Sequence, residues 1–126
     1  MAEHVRALLI EGHPAVLRAL SRRLQSDLNL VGIASEPAEA LAWVASTQPR
    51  VILLGLQHEH RRHPTQVADL IRQLRAVDVV VVVLVGYADV VERELYLQAG
   101  ASRYLLKYIN TQSLLSEILA AVTPEA

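Results

Sequence analysis

Residues 79–85 read VVVVVLV, the most continuous apolar run in the chain. A strand with one wet face alternates apolar and polar residues, so a run without alternation is buried on both faces. Shorter apolar segments stand on either side of it: Val5–Ile10, Leu30–Ala34, Val51–Leu56 and Ser102–Leu106. Each of the five is followed by a stretch with helical spacing. Strands that are apolar throughout and separated by helices form a parallel sheet covered on both faces. Right-handed crossovers then make the sheet doubly wound, with functional groups gathered at the carboxyl ends of the strands.

The helices carry their own signals. Pro14 opens the first, where Val16, Leu17, Leu20 and Leu24 recur on one side and Arg18, Arg22 and Arg23 on the other. Ser35 is the expected cap of a second helix running through Ser46, with Pro37 in its first turn. A polar loop, QHEHRRHPT, separates the third strand from a helix expected over Gln66–Ala76. Another helix spans roughly Asp89–Ala99 and closes on Gly100, and Asn110 caps the last. No internal repeat or linker interrupts the 126 residues, which read as one domain.

Composition narrows the function. With 52% apolar residues and a formal charge of −1, the chain has a substantial core and no basic stripe for neutralising phosphates, so this segment is not expected to bind nucleic acid itself. There is no cysteine, which removes disulfides, thiolate metal sites and a thiol nucleophile. The opening MAEHVRALLIEGHP is not a secretory leader, and VVVVVLV is far too short to cross a bilayer, so a cytoplasmic location and no membrane partner are expected. Eleven of the twelve basic residues are arginine, and the single lysine, Lys107, directly follows the fifth strand. An arginine-rich chain that keeps one lysine invites a specific role for it.

Glu11 and Gly12 follow the first strand, Gly55 ends the third, Val85 and Gly86 end the fourth, and Lys107 follows the fifth. At these positions, and in the segments LLIEGHPAVLRAL, PRVILLGLQ, VVVLVGYAD and LQAGASRYLLK, the sequence resembles the receiver domain of two-component response regulators, of the kind that precedes a LuxR-type DNA-binding module. The resemblance covers essentially the whole chain. It implies a flavodoxin-like, five-stranded parallel sheet in the order 2-1-3-4-5. It also implies a site in which two acidic residues and an aspartate hold magnesium, the aspartate takes up a phosphoryl group, and a hydroxyl residue and a lysine contact the phosphoryl oxygens.

This sequence departs from that pattern. The acidic pair is Glu11-Gly12, the phosphoacceptor position is Gly55, and the hydroxyl position is Val85; only Lys107 is unchanged. None of the four aspartates is expected to substitute, since Asp27, Asp69 and Asp78 lie away from the edge and Asp89 belongs to a helix start. Tyr104 matches the family's switch aromatic, with no hydroxyl at Val85 to trigger it. The reading is a pseudo-receiver: not an enzyme, without cofactor or metal, and acting through a homodimer or protein partner. It reaches DNA only through a separate effector domain outside this chain. The alternative is a small-molecule or anion sensor that uses an emptied pocket near Lys107, for which a closed cavity lined by Gly12, Gly55 and Lys107 is the sign.

Other side chains have simpler expectations. Lys107 is expected to pair with Glu11, because a buried ammonium needs a partner. His58, Glu59, His60 and His63 resemble metal ligands, but Arg61 and Arg62 stand among them, and a solvated loop is expected. His13 is read as part of the first helix start, and Glu92 and Glu94 as the wet face of theirs. Val90, Val91, Leu95, Tyr96 and Leu97 exceed what one buried stripe needs, so one or two are expected to face a partner.

Overall fold

Successive residues of the central strands go to opposite faces of one sheet. Leu8, Ile10, Ile52, Leu54, Val81, Val83 and Val85 join one buried cluster, and Ala7, Leu9, Val51, Leu53, Val82 and Leu84 join the other. The computed structural model describes residues 4–123. Met1–Glu3, part of the stretch read above as no leader, and Pro124–Ala126 lie outside the described residues.

The strands are β1 (Val5–Ile10), β2 (Leu28–Ala34), β3 (Val51–Gly55), β4 (Val80–Val85) and β5 (Arg103–Leu106). All pair in parallel, in the order β2-β1-β3-β4-β5, as the resemblance implied. Helices α1 (Pro14–Leu24) and α6 (Thr111–Val122) cover one face through Leu20, Leu24, Leu114 and Ile118. Helices α2 (Ala40–Thr47), α4 (Pro64–Ala76) and α5 (Val90–Ala99) cover the other through Val44, Ile71, Leu74 and Tyr96. Burying each large apolar side chain contributes about 1.5–3 kcal/mol, whereas strand propensity spans only about 1 kcal/mol, so two-faced burial dominates the choice of sheet.

Several boundaries differ from the sequence reading; β3 ends at Gly55 rather than Leu56, and β4 and β5 begin one residue later, at Val80 and Arg103. Strand β2 starts two residues earlier, at Leu28, because Leu28 and Asn29 pair with Val5 and Arg6 along the sheet edge, where the exposed Asn29 is tolerated. The turn before α2 is a 3₁₀ segment, Pro37–Glu39, whose N-cap is Glu36 rather than Ser35; the Glu39 carboxylate reaches back to accept the Glu36 N–H at 3.2 Å. The loop after β3 contains a one-turn helix, α3 (His58–Arg61), and α4 begins at Pro64 rather than Gln66. Proline has the helical φ preset and no N–H to leave unpaired, so it starts α4 directly. Asn110 and Gly100 stand at the helix ends as expected: Asn110 Oδ1 accepts the Ser113 N–H at 2.8 Å, and Gly100 adopts φ 122°; Asp89, read as the first residue of its helix, is its cap, with Oδ1 accepting the Glu92 N–H at 2.8 Å.

Candidate functional site

The carboxyl edge of the sheet brings Glu11, Gly12, Gly55, Val85 and Lys107 together, as topology requires of residues that end adjacent parallel strands. Glu11 is fully buried and Lys107 is 5% exposed. The Lys107 ammonium lies 2.8 Å from Glu11 Oε1 and donates to the Leu56 carbonyl at 3.0 Å. Oε1 makes no directed hydrogen bond, so charge attraction to Lys107 is what holds it. The other oxygen, Oε2, accepts the His13 N–H at 3.0 Å and the side-chain amide of Gln57. Lysine and glutamate thus satisfy each other, as a buried pair must.

Gly55 has a steric reason to be glycine. A Cβ there would lie 2.5 Å from Glu11 Oε1 and 2.7 Å from the Ile10 carbonyl, so the glutamate carboxylate occupies the space a side chain would need. A Cβ on Gly12 would meet the Ser35 carbonyl at 3.1 Å. Val85 is fully buried in the apolar cluster beneath α4 and α5. The residues here do not fit a magnesium ion: Gly12 and Gly55 offer no side-chain oxygen, and the single carboxylate, Glu11, is already paired with Lys107. The hollow beside Lys107 is open, about 180 Å³, and is bordered by Gln57, Arg61 and Tyr108 rather than by Gly12 or Gly55. It is not the closed cavity that an anion sensor predicts.

Helix α3 folds over this edge in both directions. Gln57 reaches Glu11, while Arg61 crosses to α5, donating from Nε to Glu92 Oε2 at 2.9 Å and from Nη2 to Glu92 Oε1 at 2.7 Å. Burial works against the Arg61 charge, but the hydrogen bonds and charge of Glu92 outweigh it and hold the guanidinium above its ordinary value. Glu92 is therefore not on the wet face: it is 8% exposed, whereas Glu94 is exposed as expected. The periodicity held the signal, since Glu92 lies one turn before the buried Tyr96 on the same stripe. Tyr104 donates its hydroxyl to Glu92 Oε1 and accepts the Asp89 N–H at 3.1 Å. Burial and the hydrogen bond to Glu92 push the Tyr104 phenol up to about 12. Burial and the nearby carboxylate also raise Tyr96, whose ring packs against Tyr104 at 6.3 Å between centroids. Asp89 is committed to its cap, and Asp27, Asp69 and Asp78 lie off the edge, in turns or on α4.

Comparison with known proteins supplies the family. The family described as "Response regulator receiver domain" matches residues 7–119. The chain belongs to the response regulator receiver family. It is 30% identical over 119 residues, 93% of its length, to the transcriptional regulatory protein LiaR of Bacillus subtilis, and 31% identical over 118 residues to the response regulator MprA of Mycobacterium ulcerans. This receiver spans 56% of the first and 49% of the second, about half the length of these relatives. Among solved structures, it superposes on the signal receiver domain of the response regulator NarL of Mycobacterium tuberculosis with a TM-score of 0.83 at 22% identity, covering 98% of this chain and 100% of that one. A DNA-binding response regulator of the LuxR family from Staphylococcus aureus matches with a TM-score of 0.79 at 12% identity, covering 94% and 99% of the two chains. These structural likenesses bear on the fold. Receiver domains are signalling domains rather than enzymes.

In this receiver two of the histidines, His13 and His60, have local work. His13 Nδ1 accepts the Val16 N–H at 3.4 Å and so caps α1, the structural role expected of it. His60 is not in a loose solvated loop, because its Nδ1 accepts the Gln57 N–H at 2.9 Å and starts α3. Its Nε2 lies 3.3 Å from Glu36 and 3.9 Å from Glu59, close enough for the three to share one cation. With Nδ1 accepting a backbone proton, however, the neutral ring carries its own proton on Nε2 and points it at the carboxylates, so no lone pair is left there for a metal. No helix among the described residues is long and apolar enough to cross a membrane.

Proposed function

We propose that this receiver signals without taking up a phosphoryl group and acts through homodimerisation or docking to a protein partner. The observation that carries the reading is the Glu11–Lys107 pair seated over Gly55. The position from which an aspartate would attack has no side chain, and the carboxylate of Glu11 fills the space for one. Val85 adds no hydroxyl to hold a phosphoryl oxygen, and Lys107 is satisfied by Glu11 and Leu56. The same satisfaction speaks against an anion sensor using the former pocket. On this reading residues 1–126 form one cytoplasmic receiver domain without cofactor, and Glu11, Gly12, Gly55, Val85 and Lys107 are the remains of a phosphorylation site.

The surface that would face a partner is supplied by Tyr87, Val90 and Val91, which are 57%, 83% and 79% exposed beside one another at the start of α5. Transcriptional output fits the similarity to LiaR, a transcriptional regulatory protein, and to the DNA-binding LuxR-family regulator, and would come from an effector domain in a longer protein. A melting experiment with magnesium and beryllofluoride, a phosphoryl mimic, tests the proposal. A ligand present at a hundredfold excess over its Kd stabilises by about 2.7 kcal/mol, a shift of roughly 10 °C for a domain of this size. The expected shift is none, and a shift of that order overturns the reading.

A further inference from the structure

Closing the phosphorylation edge takes only Gln57, Glu11 and Lys107, and leaves the second arm of α3 unexplained. Arg61 departs from α3 on the other side and enters a buried polar cluster. Its side chain is 6% exposed and that of Glu92 is 9% exposed. Besides its two bonds to Glu92, Nη2 donates to the Tyr87 carbonyl at 2.8 Å, and the guanidinium stacks 3.8 Å from the centre of the Tyr87 ring. Glu92 in turn receives the Tyr104 hydroxyl, and that hydroxyl receives the Asp89 N–H. One arginine therefore ties the loop after β3 to the β4–α5 connection, to the first turn of α5 and to the aromatic of β5.

We infer that Arg61 is a conformational latch: through Glu92, Tyr87 and Tyr104 it sets the shape of the exposed Tyr87–Val91 surface according to the position of α3. The two states follow from the cost of a buried charge. Among the described residues Arg61 is the one cation within ion-pair distance of Glu92. When α3 is in place, Glu92 stays buried and Tyr104 is held inward. When α3 moves, Glu92 loses its counter-charge and must turn to water, because a buried carboxylate left unpaired costs several kcal/mol. Glu92 cannot turn outward without releasing the Tyr104 hydroxyl, which also accepts the Asp89 N–H, and the departure of Arg61 frees the Tyr87 carbonyl. Half-broken arrangements are unfavourable, which makes the element two-state rather than graded. The cluster contains no atom of the phosphorylation edge, so the latch goes beyond the function proposed above, and either can fail without the other.

Amide hydrogen exchange on the Arg61→Gln variant tests the latch. A Leu114→Ala variant serves as the control, since Leu114 is fully buried on the opposite face of the sheet, and it lowers global stability without touching the cluster. The comparison is made at urea concentrations giving equal global stability. Exchange in Arg61→Gln is expected to be about tenfold faster than in the control both in residues 57–63 and in residues 87–92, the size of one lost hydrogen bond. Acceleration confined to residues 57–63, or equal in the two variants, overturns the latch. Should Arg61→Gln not fold, Tyr104→Phe removes only the hydroxyl. The Asp89 amide is then expected to exchange about tenfold faster, and an unchanged Asp89 amide overturns the proposal.

Discussion

Replacing Gly55 by alanine isolates the steric claim at the centre of the site. Gly55 ends β3 in an ordinary strand conformation, since Gly100 is the glycine with positive φ among the described residues. In the absence of a clash, exchanging glycine for alanine there stabilises by about 0.4–1 kcal/mol, because the unfolded chain loses freedom. The structure predicts the opposite sign. The new methyl would lie 2.5 Å from the carboxylate oxygen that ends the Glu11 side chain and 2.7 Å from the Ile10 backbone carbonyl, which cannot swing away. Glu11 is fixed by Lys107, His13 and Gln57, and Ile10 is paired within the sheet. Overpacking of this kind costs about 1–3 kcal/mol, which for a domain of 126 residues lowers the melting temperature by roughly 4–12 °C. Gly55→Asp is expected to be worse than Gly55→Ala at neutral pH, because it sets a second carboxylate against Glu11 with one lysine between them. Differential scanning calorimetry measures both. A Gly55→Ala variant that melts at or above the wild-type temperature refutes the argument that Glu11 has taken the space.

Three further outcomes are expected. Lys107→Met, which strands a fully buried Glu11, should cost about 3–5 kcal/mol in urea denaturation, and adding Glu11→Gln to it should restore much of the loss; additive losses contradict mutual neutralisation. Tyr104 is neutral when folded and its phenol is pushed up to about 12, so its contribution to stability is intact below about 10, the unfolded value, and is lost as pH rises toward 12. Tyr104→Phe should remove that alkaline loss, and an identical alkaline profile in the variant would show that Tyr104 is not buried against Glu92. Zinc titration should leave the melting temperature unchanged, because His60 presents N–H rather than a lone pair to Glu36 and Glu59; stabilisation by zinc that His60→Ala abolishes would reverse that assignment.

Much of this was legible from residue order, for physical reasons. Strands buried on both faces leave continuous apolar runs, so β1, β3 and β4 were recognisable, and parallel topology then fixed which residues share the carboxyl edge. The Glu11–Lys107 pair followed because a buried ammonium at that edge had one carboxylate within reach. What the sequence did not disclose was long-range or locally ambiguous. Nothing in HEHRRHP marks a helical turn, because α3 is held by a histidine nitrogen on a backbone N–H and by contacts from Gln57 and Arg61 to β1 and α5. Arg61 and Glu92 stand 31 residues apart, and each taken alone is an ordinary surface residue. Gly55 was half legible: a glycine at the end of β3 could be read directly, but the Glu11 carboxylate occupying the space for a side chain could not.

Incubating the protein with acetyl phosphate and magnesium, then measuring its intact mass, tests most directly the proposal that this receiver takes up no phosphoryl group. The account predicts one species with the mass of the unmodified chain. A stoichiometric, acid-stable but alkali-labile gain of one phosphoryl group, carried on a carboxylate at the sheet edge, would contradict it.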